Sequence, residues 1–122
     1  PDWAKGAVMY QVFPDRFHKS GNCDLTGKLE PYTVHRDWNE EVDWRPTPDG
    51  RVLNNDFYGG NFRGITEKMD YIASLGVTIL YLNPISKSFS SHRYDTGDYK
   101  NTRIKFWKLV TELFSKNYFK KI

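Results

Sequence analysis

Four consecutive residues carry the side chains best suited to chemistry: His92, Arg93, Tyr94 and Asp95. A flat tyrosine ring packs against the apolar C–H faces of a sugar, while neighbouring histidine and aspartate side chains hydrogen-bond the sugar hydroxyl groups. The same residues also fit a loop tyrosine that packs on its own domain beside an ordinary Arg93–Asp95 ion pair. One loop supplies few of the converging groups that a binding pocket needs, so both interpretations stay open.

A second group of polar residues has the composition of a calcium site. Asn22 and Asp24, together with the Gly59 carbonyl and Asn61, offer the oxygen ligands that calcium prefers. An Asx turn within residues 20–24 explains the first two residues equally well, because asparagine and aspartate side chains hydrogen-bond their own backbone.

The remaining acidic residues do not form the arrangement that glycoside cleavage requires, which is a pair of carboxylates on either side of the bond. Asp15 and Arg16 are predicted to form a structural salt bridge, and Glu40, Glu41 and Asp43 are predicted to be solvated. The chain has no nucleotide-binding glycine loop, no zinc-type spacing of cysteine and histidine, and no nucleophile elbow. The residues therefore predict a partial site without a catalytic residue.

The elements that must position these side chains follow from hydrophobic periodicity. Residues 7–14 and 77–82 are short apolar runs that predict buried strands, and residues 64–76 have the spacing of an amphipathic helix. A helix between two apolar strands predicts a parallel βαβ unit. The polar connection over residues 15–55 predicts a long loop or a small subdomain, and residues 104–114 predict a second helix.

Strand, helix, strand and polar loop in this order predict an α/β fold, namely a partial (β/α)8 TIM barrel. The 122 residues are far fewer than the roughly 250 of a complete barrel. We expect about the first two β/α units plus a long loop after the first strand. Because barrel enzymes carry their chemistry on the loops that follow the strands, residues 91–99 are the expected site. Two parallel strands leave their sheet edges bare, which predicts low stability.

Composition and charge divide the chain in two. The hydrophobic content of 39% and the aromatic content of 16% are typical of a globular chain rather than a disordered one. Residues 1–99 contain 11 basic and 14 acidic residues, whereas residues 100–122 contain 7 basic residues and one acidic residue. Cys23 has no partner for an internal disulfide. No apolar run is long enough to span a bilayer and no signal peptide is recognisable, so an extracellular and a cytoplasmic location both remain open.

Three ordered motifs carry a resemblance to a known family: AVMYQVFPDRF at residues 7–17, NDFYGGNFRGITEKMDYIASLGVTILYLNPI at residues 55–85 and SHRYDTGDY at residues 91–99. They resemble the start of the α-amylase family of glycoside hydrolases, family 13, and within it the neopullulanase, cyclomaltodextrinase and amylopullulanase group. The resemblance implies a retaining hydrolase of α-glucosidic bonds on a (β/α)8 barrel. Its substrates would be starch, pullulan, maltooligosaccharides or cyclodextrins.

The resemblance also implies roles for single residues. The tyrosine that matches Tyr94 stacks on the sugar in the subsite before the cleaved bond, and the histidine that matches His92 lies beside it. Calcium bound by the loop after the first strand is known in the group, and here Asn61 replaces the usual aspartate. The catalytic nucleophile, the general acid and the aspartate that stabilises the transition state lie on later strands of the family.

The resemblance ends near residue 100. There the family continues with an I-D-P-x-F-G segment, whereas this chain reads NTRIKFW. We therefore divide the chain into residues 1–99, the N-terminal part of a glycoside hydrolase barrel, and residues 100–122, a basic tail that departs from the family pattern. The tail is dominated by residues with A/T-rich codons, which we interpret as the product of a frameshift or truncation.

The sequence predicts a fragment of an α-glucan-acting hydrolase that is inactive by itself. The alternative is a non-catalytic α-glucan binding module that uses Tyr94, Trp38 and Trp44, the two tryptophans also being the expected anchors of the long connection. A nucleic-acid binder based on the basic tail is disfavoured, because the tail has no recognisable fold and the body is net acidic. Neither a nucleic acid nor a membrane is an expected partner.

Overall fold

The computed structural model describes residues 1–22, 25 and 28–98, and the elements below belong to that part of the chain. A short 3-10 helix spans Asp2–Ala4. The strands are β1 (Met9–Val12), β2 (Thr33–Val34), β3 (Asp56–Phe57), β4 (Ile79–Leu82), β5 (Lys87–Ser88) and β6 (Thr96–Asp98). The helices are α1 (Pro14–Phe17), α2 (Phe62–Glu67) and α3 (Met69–Ser74). No helix in this part of the chain is long and apolar enough to cross a membrane.

The predicted parallel βαβ unit is confirmed. Strand β1 pairs with β4 in parallel, with Met9 opposite Ile79 and Val12 opposite Leu82, and the helices lie between them in sequence. The single helix predicted over residues 64–76 is instead two helices that meet at Lys68, whose backbone departs from helical geometry. The helical segment begins earlier than expected, since the Asn61 side chain accepts a hydrogen bond from the Gly64 N–H and caps α2.

The core lies between one face of the β1–β4 sheet and the two helices. It consists of buried apolar side chains from β1, from both helices and from the turn before β4: Val12, Ile65, Met69, Ile72 and Val77. Strand β4 contributes the partly buried Leu80 and Leu82, which pack against this cluster. The opposite face of the sheet is uncovered among the described residues, where Met9 is 60% exposed and Tyr81 is 43% exposed. The strands that the sequence predicts to be buried therefore have one exposed face in this part of the chain.

The long connection after β1 is organised around a short parallel ladder. Thr33 of β2 lies opposite Asp56 of β3. Trp38 packs edge-on against the Tyr58 ring with the ring centroids 5.6 Å apart, as expected of an anchor. Trp44 is 56% exposed and its indole N–H donates only to nearby Glu41, so the expected anchoring role of Trp44 is wrong.

Two glycines allow α1 and α2 to approach closely. A Cβ atom at Gly64 would lie 2.0 Å from the carbonyl oxygen of His18, and one at Gly60 would lie 2.1 Å from that of Pro14. Real side chains do not tolerate such distances to backbone atoms, so the contact between the two helices requires glycine at both positions.

The second predicted helix, at residues 104–114, and the basic tail lie outside the described residues. So does Asp24, one of the four residues expected to bind calcium.

We predict that Gly64→Ala lowers the free energy of unfolding by about 1–3 kcal/mol, because the added methyl group forces the two helices apart. Urea unfolding followed by circular dichroism measures the change. Gly97→Ala is the matched control, since a Cβ atom there would lie 3.7 Å from its nearest backbone neighbour. Equal stability of the two variants would contradict the steric explanation.

Candidate functional site

The loop that follows β4 carries Tyr94 and His92 on its outer side. The strand ends before Asn83 and Pro84, and the antiparallel β5–β6 ladder closes the base of the loop. Tyr94 is 55% exposed, and its ring lies 6.0 Å from the His92 ring at a tilt of 34°. The structure therefore brings the two residues together at the end of a strand, as predicted from the sequence.

Asp95, the third predicted contact residue, directs its carboxylate into the loop. The carboxylate accepts hydrogen bonds from the N–H groups of Phe89 at 3.1 Å and Ser90 at 3.0 Å, and from the Ser90 hydroxyl. Partial burial acts to raise the pKa of Asp95, but these hydrogen bonds outweigh it and hold the pKa below its usual value. Asp95 is thus ionised and shapes the loop.

Arg93 adopts a backbone conformation that is rare for a residue with a side chain. Its φ angle is 66°, in the left-handed region, and its N–H donates to the Ser90 hydroxyl oxygen at 3.0 Å. The guanidinium donates to the Ser86 carbonyl at 3.1 Å. The sequence interpretation of Arg93 as a simple ion-pair partner did not predict this backbone role.

Tyr81 also belongs to the site, although no motif in the sequence marks it. Its hydroxyl lies 3.4 Å from that of Tyr94, and this contact, with some burial, raises the pKa of Tyr94. Tyr81 lies on the uncovered face of β4, opposite Gln11 of β1 in the ladder. The signal in the sequence is a tyrosine within an otherwise apolar strand, which marks the face that the core does not use.

The predicted salt bridge between Asp15 and Arg16 is confirmed and is part of a larger network. Arg16 contacts the Asp15 carboxylate and also donates to the Asp56 carboxylate at 3.0 Å. Its guanidinium lies 4.4 Å from the centre of the Tyr58 ring. The Asp15 carboxylate accepts hydrogen bonds from the N–H groups of Tyr58 and Gly59, both at 3.1 Å. Both carboxylates are buried, so their charges are balanced only within this network.

His35 extends the network into the long loop. One ring nitrogen lies 2.8 Å from the Glu40 carboxylate, the other lies 2.9 Å from that of Asp56, and the ring stacks on Tyr58. Burial acts to lower the pKa of His35, but hydrogen bonds to Asp56 and Glu40 outweigh it and raise the pKa. Glu41 and Asp43 are exposed as predicted, whereas Glu40 is exposed and also ion-paired.

Among the residues expected to bind calcium, Asn61 contacts the loop that follows α1. Asn61 donates from its side-chain amide to the Ser20 carbonyl at 2.9 Å, which places it beside the segment that contains Asn22. Its side-chain oxygen accepts the Gly64 N–H at 2.9 Å. The described residues contain no group of three histidine, cysteine, aspartate or glutamate side chains that could hold a metal ion. Calcium at Asn22, Asp24, Gly59 and Asn61 stays a prediction.

A parallel βαβ unit with polar loops after both strands is the repeating element of the expected (β/α)8 barrel. The chain belongs to the α-amylase family, because the family model described as the α-amylase catalytic domain matches residues 11–112. The match extends past residue 99, and the division of the chain at residues 99 and 100 stays a prediction.

The relatives with similar sequences are enzymes of the expected group. An amylopullulanase of Thermoanaerobacterium saccharolyticum is 42% identical, over 94% of this chain and 10% of its own length. Neopullulanase 2 of Thermoactinomyces vulgaris is 40% identical, over 91% of this chain and 17% of its own length. The chain therefore spans about a tenth of the length of the amylopullulanases it matches.

Solved structures confirm the partial barrel. The type III pullulan hydrolase from Thermococcus kodakarensis superposes with a TM-score of 0.69 at 32% identity, over 94% of this chain and 22% of that enzyme. The cyclic α-maltosyl-(1→6)-maltose hydrolase from Arthrobacter globiformis, in complex with its cyclic sugar, superposes with a TM-score of 0.65 at 34% identity, over 95% of this chain and 24% of that enzyme. The chain thus matches the N-terminal region of α-glucan hydrolases.

We predict that His35→Gln lowers the free energy of unfolding most between about pH 4 and pH 7. The raised pKa of His35 means that protonated His35 stabilises the fold below its unfolded pKa, and that this stabilisation is lost as the pH rises through the folded pKa. The lowered pKa of Asp56 means that its carboxylate stays charged until the pH falls through its folded pKa, where the negative charge that pairs with His35 is lost. Urea unfolding over a pH series measures both limits.

His18→Gln is the control for this series, because His18 forms a longer, half-exposed pair with Glu67 at 3.6 Å. A stability difference between wild type and His35→Gln that does not change with pH would contradict the double ion pair at His35.

Proposed function

We propose that this chain supplies part of the sugar-binding surface of an α-glucan hydrolase, centred on the loop that carries Tyr94 and His92. The observation that carries the proposal is the exposed Tyr94 ring on a loop after a barrel strand, in a chain that belongs to the α-amylase family. Barrel enzymes bind their substrates on this side of the strands. A flat aromatic ring beside an imidazole offers one apolar contact and one hydrogen-bonding contact to a glucose unit.

The state of His92 supports this role. The Tyr94 N–H donates to His92 Nδ1 at 3.1 Å, so that in neutral His92 the proton resides on Nε2. That nitrogen makes no hydrogen bond to another residue in the described part of the chain. The Nε2–H group is thereby available as a donor to a sugar hydroxyl next to the Tyr94 ring.

The proposed substrate class is the α-glucans, with pullulan, maltooligosaccharides and cyclic glucans as candidates. Relatives are named as an amylopullulanase, a cyclomaltodextrinase and a neopullulanase, and one similar structure was solved with a cyclic maltosyl-maltose. These names describe those proteins. They support the same sugar class here, because the sequence match includes the loop with Tyr94.

We propose that the chain alone does not hydrolyse glycosidic bonds. The buried carboxylates of the described residues are engaged elsewhere, Asp15 and Asp56 by Arg16 and His35. Asp95 is engaged by the backbone of its own loop. Cleavage needs two carboxylates free to act on opposite sides of one bond, and none of these three is available for that role.

A second candidate function is a non-catalytic α-glucan binding module. The observation that favours it is the exposure of Trp38 and Trp44 in the long loop, at 42% and 56%. Both candidates use Tyr94, and they differ in whether a sugar also perturbs the two tryptophans. Changes in the Trp38 and Trp44 indole signals, together with a change in the Tyr94 ring signal, would support the module.

We predict that Tyr94→Ala lowers the affinity for maltotriose by about tenfold, because stacking on a sugar face and the associated burial are lost. Titration of the 122-residue chain followed by NMR of tyrosine and tryptophan rings measures the affinity and locates the contact. The sugar should be recovered uncleaved.

Tyr71→Ala is the matched control for this substitution, since Tyr71 is 53% exposed on α3, which packs on the covered face of the sheet. Equal affinities for Tyr94→Ala and Tyr71→Ala would contradict the proposed site. Release of reducing sugar by the purified chain would contradict the proposed lack of hydrolysis.

We also propose that Asn22, Asp24, the Gly59 carbonyl and Asn61 bind calcium weakly, because the set contains one carboxylate. Asn61→Asp is expected to raise calcium affinity by about tenfold through the added negative charge. An aspartate at this position still caps α2. Thermal unfolding with increasing calcium chloride, against magnesium chloride as control, measures the effect. A calcium-independent melting temperature for both wild type and Asn61→Asp would contradict the proposal.

A further inference from the structure

Ser90 lies at the centre of the hydrogen bonds that shape the loop. It is 4% exposed, and each of its polar atoms has a partner. Its hydroxyl donates to Asp95 and accepts the Arg93 N–H at 3.0 Å, while its own N–H donates to Asp95 at 3.0 Å. Its carbonyl accepts from the Ser88 hydroxyl at 3.1 Å and from the Lys28 ammonium at 3.4 Å.

The single hydroxyl proton of Ser90 has two acceptors within reach, the Asp95 carboxylate and His92 Nδ1. An ionised carboxylate is the stronger acceptor, so the proton goes to Asp95 rather than to His92 Nδ1, which lies 3.1 Å from the same oxygen. Nδ1 is then free to accept the Tyr94 N–H at 3.1 Å. The bond from Ser90 to Asp95 thus leaves Nδ1 to the Tyr94 N–H, and it is this N–H that makes Nδ1 the acceptor and joins the histidine ring to the backbone of Tyr94.

The loop is also tied to the long connection after β1. Lys28 donates to the Ser88 carbonyl at 3.1 Å in addition to that of Ser90, and the Ser91 N–H donates to the Asn54 carbonyl at 2.7 Å. Ser90 is therefore held from two directions, by Asp95 within the loop and by residues more than thirty positions earlier in the chain. Its position does not depend on the exposed side chains that it supports.

We propose that Ser90 is the positioning residue of this site, and that its hydroxyl, held by Asp95, sets the orientation in which Tyr94 and His92 meet an α-glucan. The inference rests on the proposed sugar-binding function of the same loop. It assigns Asp95 to the support of the contact residues and leaves the direct sugar contacts to Tyr94 and His92. The left-handed backbone of Arg93 is part of the same arrangement, since the Ser90 hydroxyl accepts its N–H.

The test compares four forms of the 122-residue chain: wild type, Ser90→Ala, Ser90→Thr and Ser74→Ala. Ser74→Ala is the control for loss of a serine hydroxyl, because Ser74 donates to the Tyr71 carbonyl on an exposed part of α3. NMR of labelled tyrosine and histidine rings is recorded without sugar and during a maltotriose titration, with Tyr94 assigned from a Tyr94→Phe variant.

Ser90→Ala is expected to shift the Tyr94 and His92 ring signals in the sugar-free protein and to weaken maltotriose binding by about tenfold. Ser90→Thr keeps the hydroxyl and should restore most of the affinity, whereas Ser74→Ala should leave both readouts unchanged. Wild-type ring signals together with wild-type affinity in Ser90→Ala would overturn the proposal.

The test also gives an answer if Ser90→Ala does not fold or if wild type does not bind maltotriose. If Ser90→Ala does not fold, Asp95→Asn replaces it, and unchanged Tyr94 and His92 signals in that variant would overturn the proposal. If wild type does not bind maltotriose, the proposed function fails. The ring signals of the sugar-free variants then test the positioning role of Ser90 alone. Failure of sugar binding can therefore be distinguished from failure of the positioning role.

Discussion

The structure depends on the ion pairs that Arg16 makes with Asp15 and Asp56. A buried carboxylate is stable only when an opposite charge and hydrogen bonds replace the water it has lost. Arg16 provides the charge for both, and it also lies over the Tyr58 ring. The network joins the helical turn after the first strand to β3, since Arg16 contacts Asp56 about forty residues later in the chain. It therefore holds the two ends of the long connection together.

The position of the loop that carries Tyr94 and His92 follows from that junction. The carbonyl of Asn54, which directly precedes β3, accepts the Ser91 N–H, so that fixing β3 also fixes one side of the loop. On its other side the loop leaves β4, whose register is set by β1. The exposed ring of Tyr94 is thus held by elements that are far apart in sequence, and its orientation results from backbone and polar contacts rather than from apolar packing of the ring.

The sequence predicted the features that arise from local patterns. Apolar periodicity was sufficient to predict the parallel pairing of β1 and β4 and the helical segment between them. The adjacency of Asp15 and Arg16 in the sequence was sufficient to predict their salt bridge. The break at Lys68 was missed because no glycine or proline marks it. His35 and Ser90 were also missed. His35 contacts carboxylates that folding brings beside it, and Ser90 contacts Lys28 and a residue with a left-handed backbone. Neither the distant partners nor the backbone conformation can be recognised in a single sequence.

The contacts that Lys28 and Asn54 make with the loop that carries Tyr94 have a consequence for how proteins with this fold vary in evolution. Lys28 and Asn54 bracket the stretch that contains β2 and the exposed tryptophans, and both contact the neighbouring loop directly. Residues 44–53 of this stretch are almost all exposed, so insertions or deletions there change a solvent-facing region while the attachment points stay in place. Loop length costs little free energy when the ends are fixed. Evolution or protein engineering can therefore vary what surrounds the loop with Tyr94 without disturbing the contacts that position that loop.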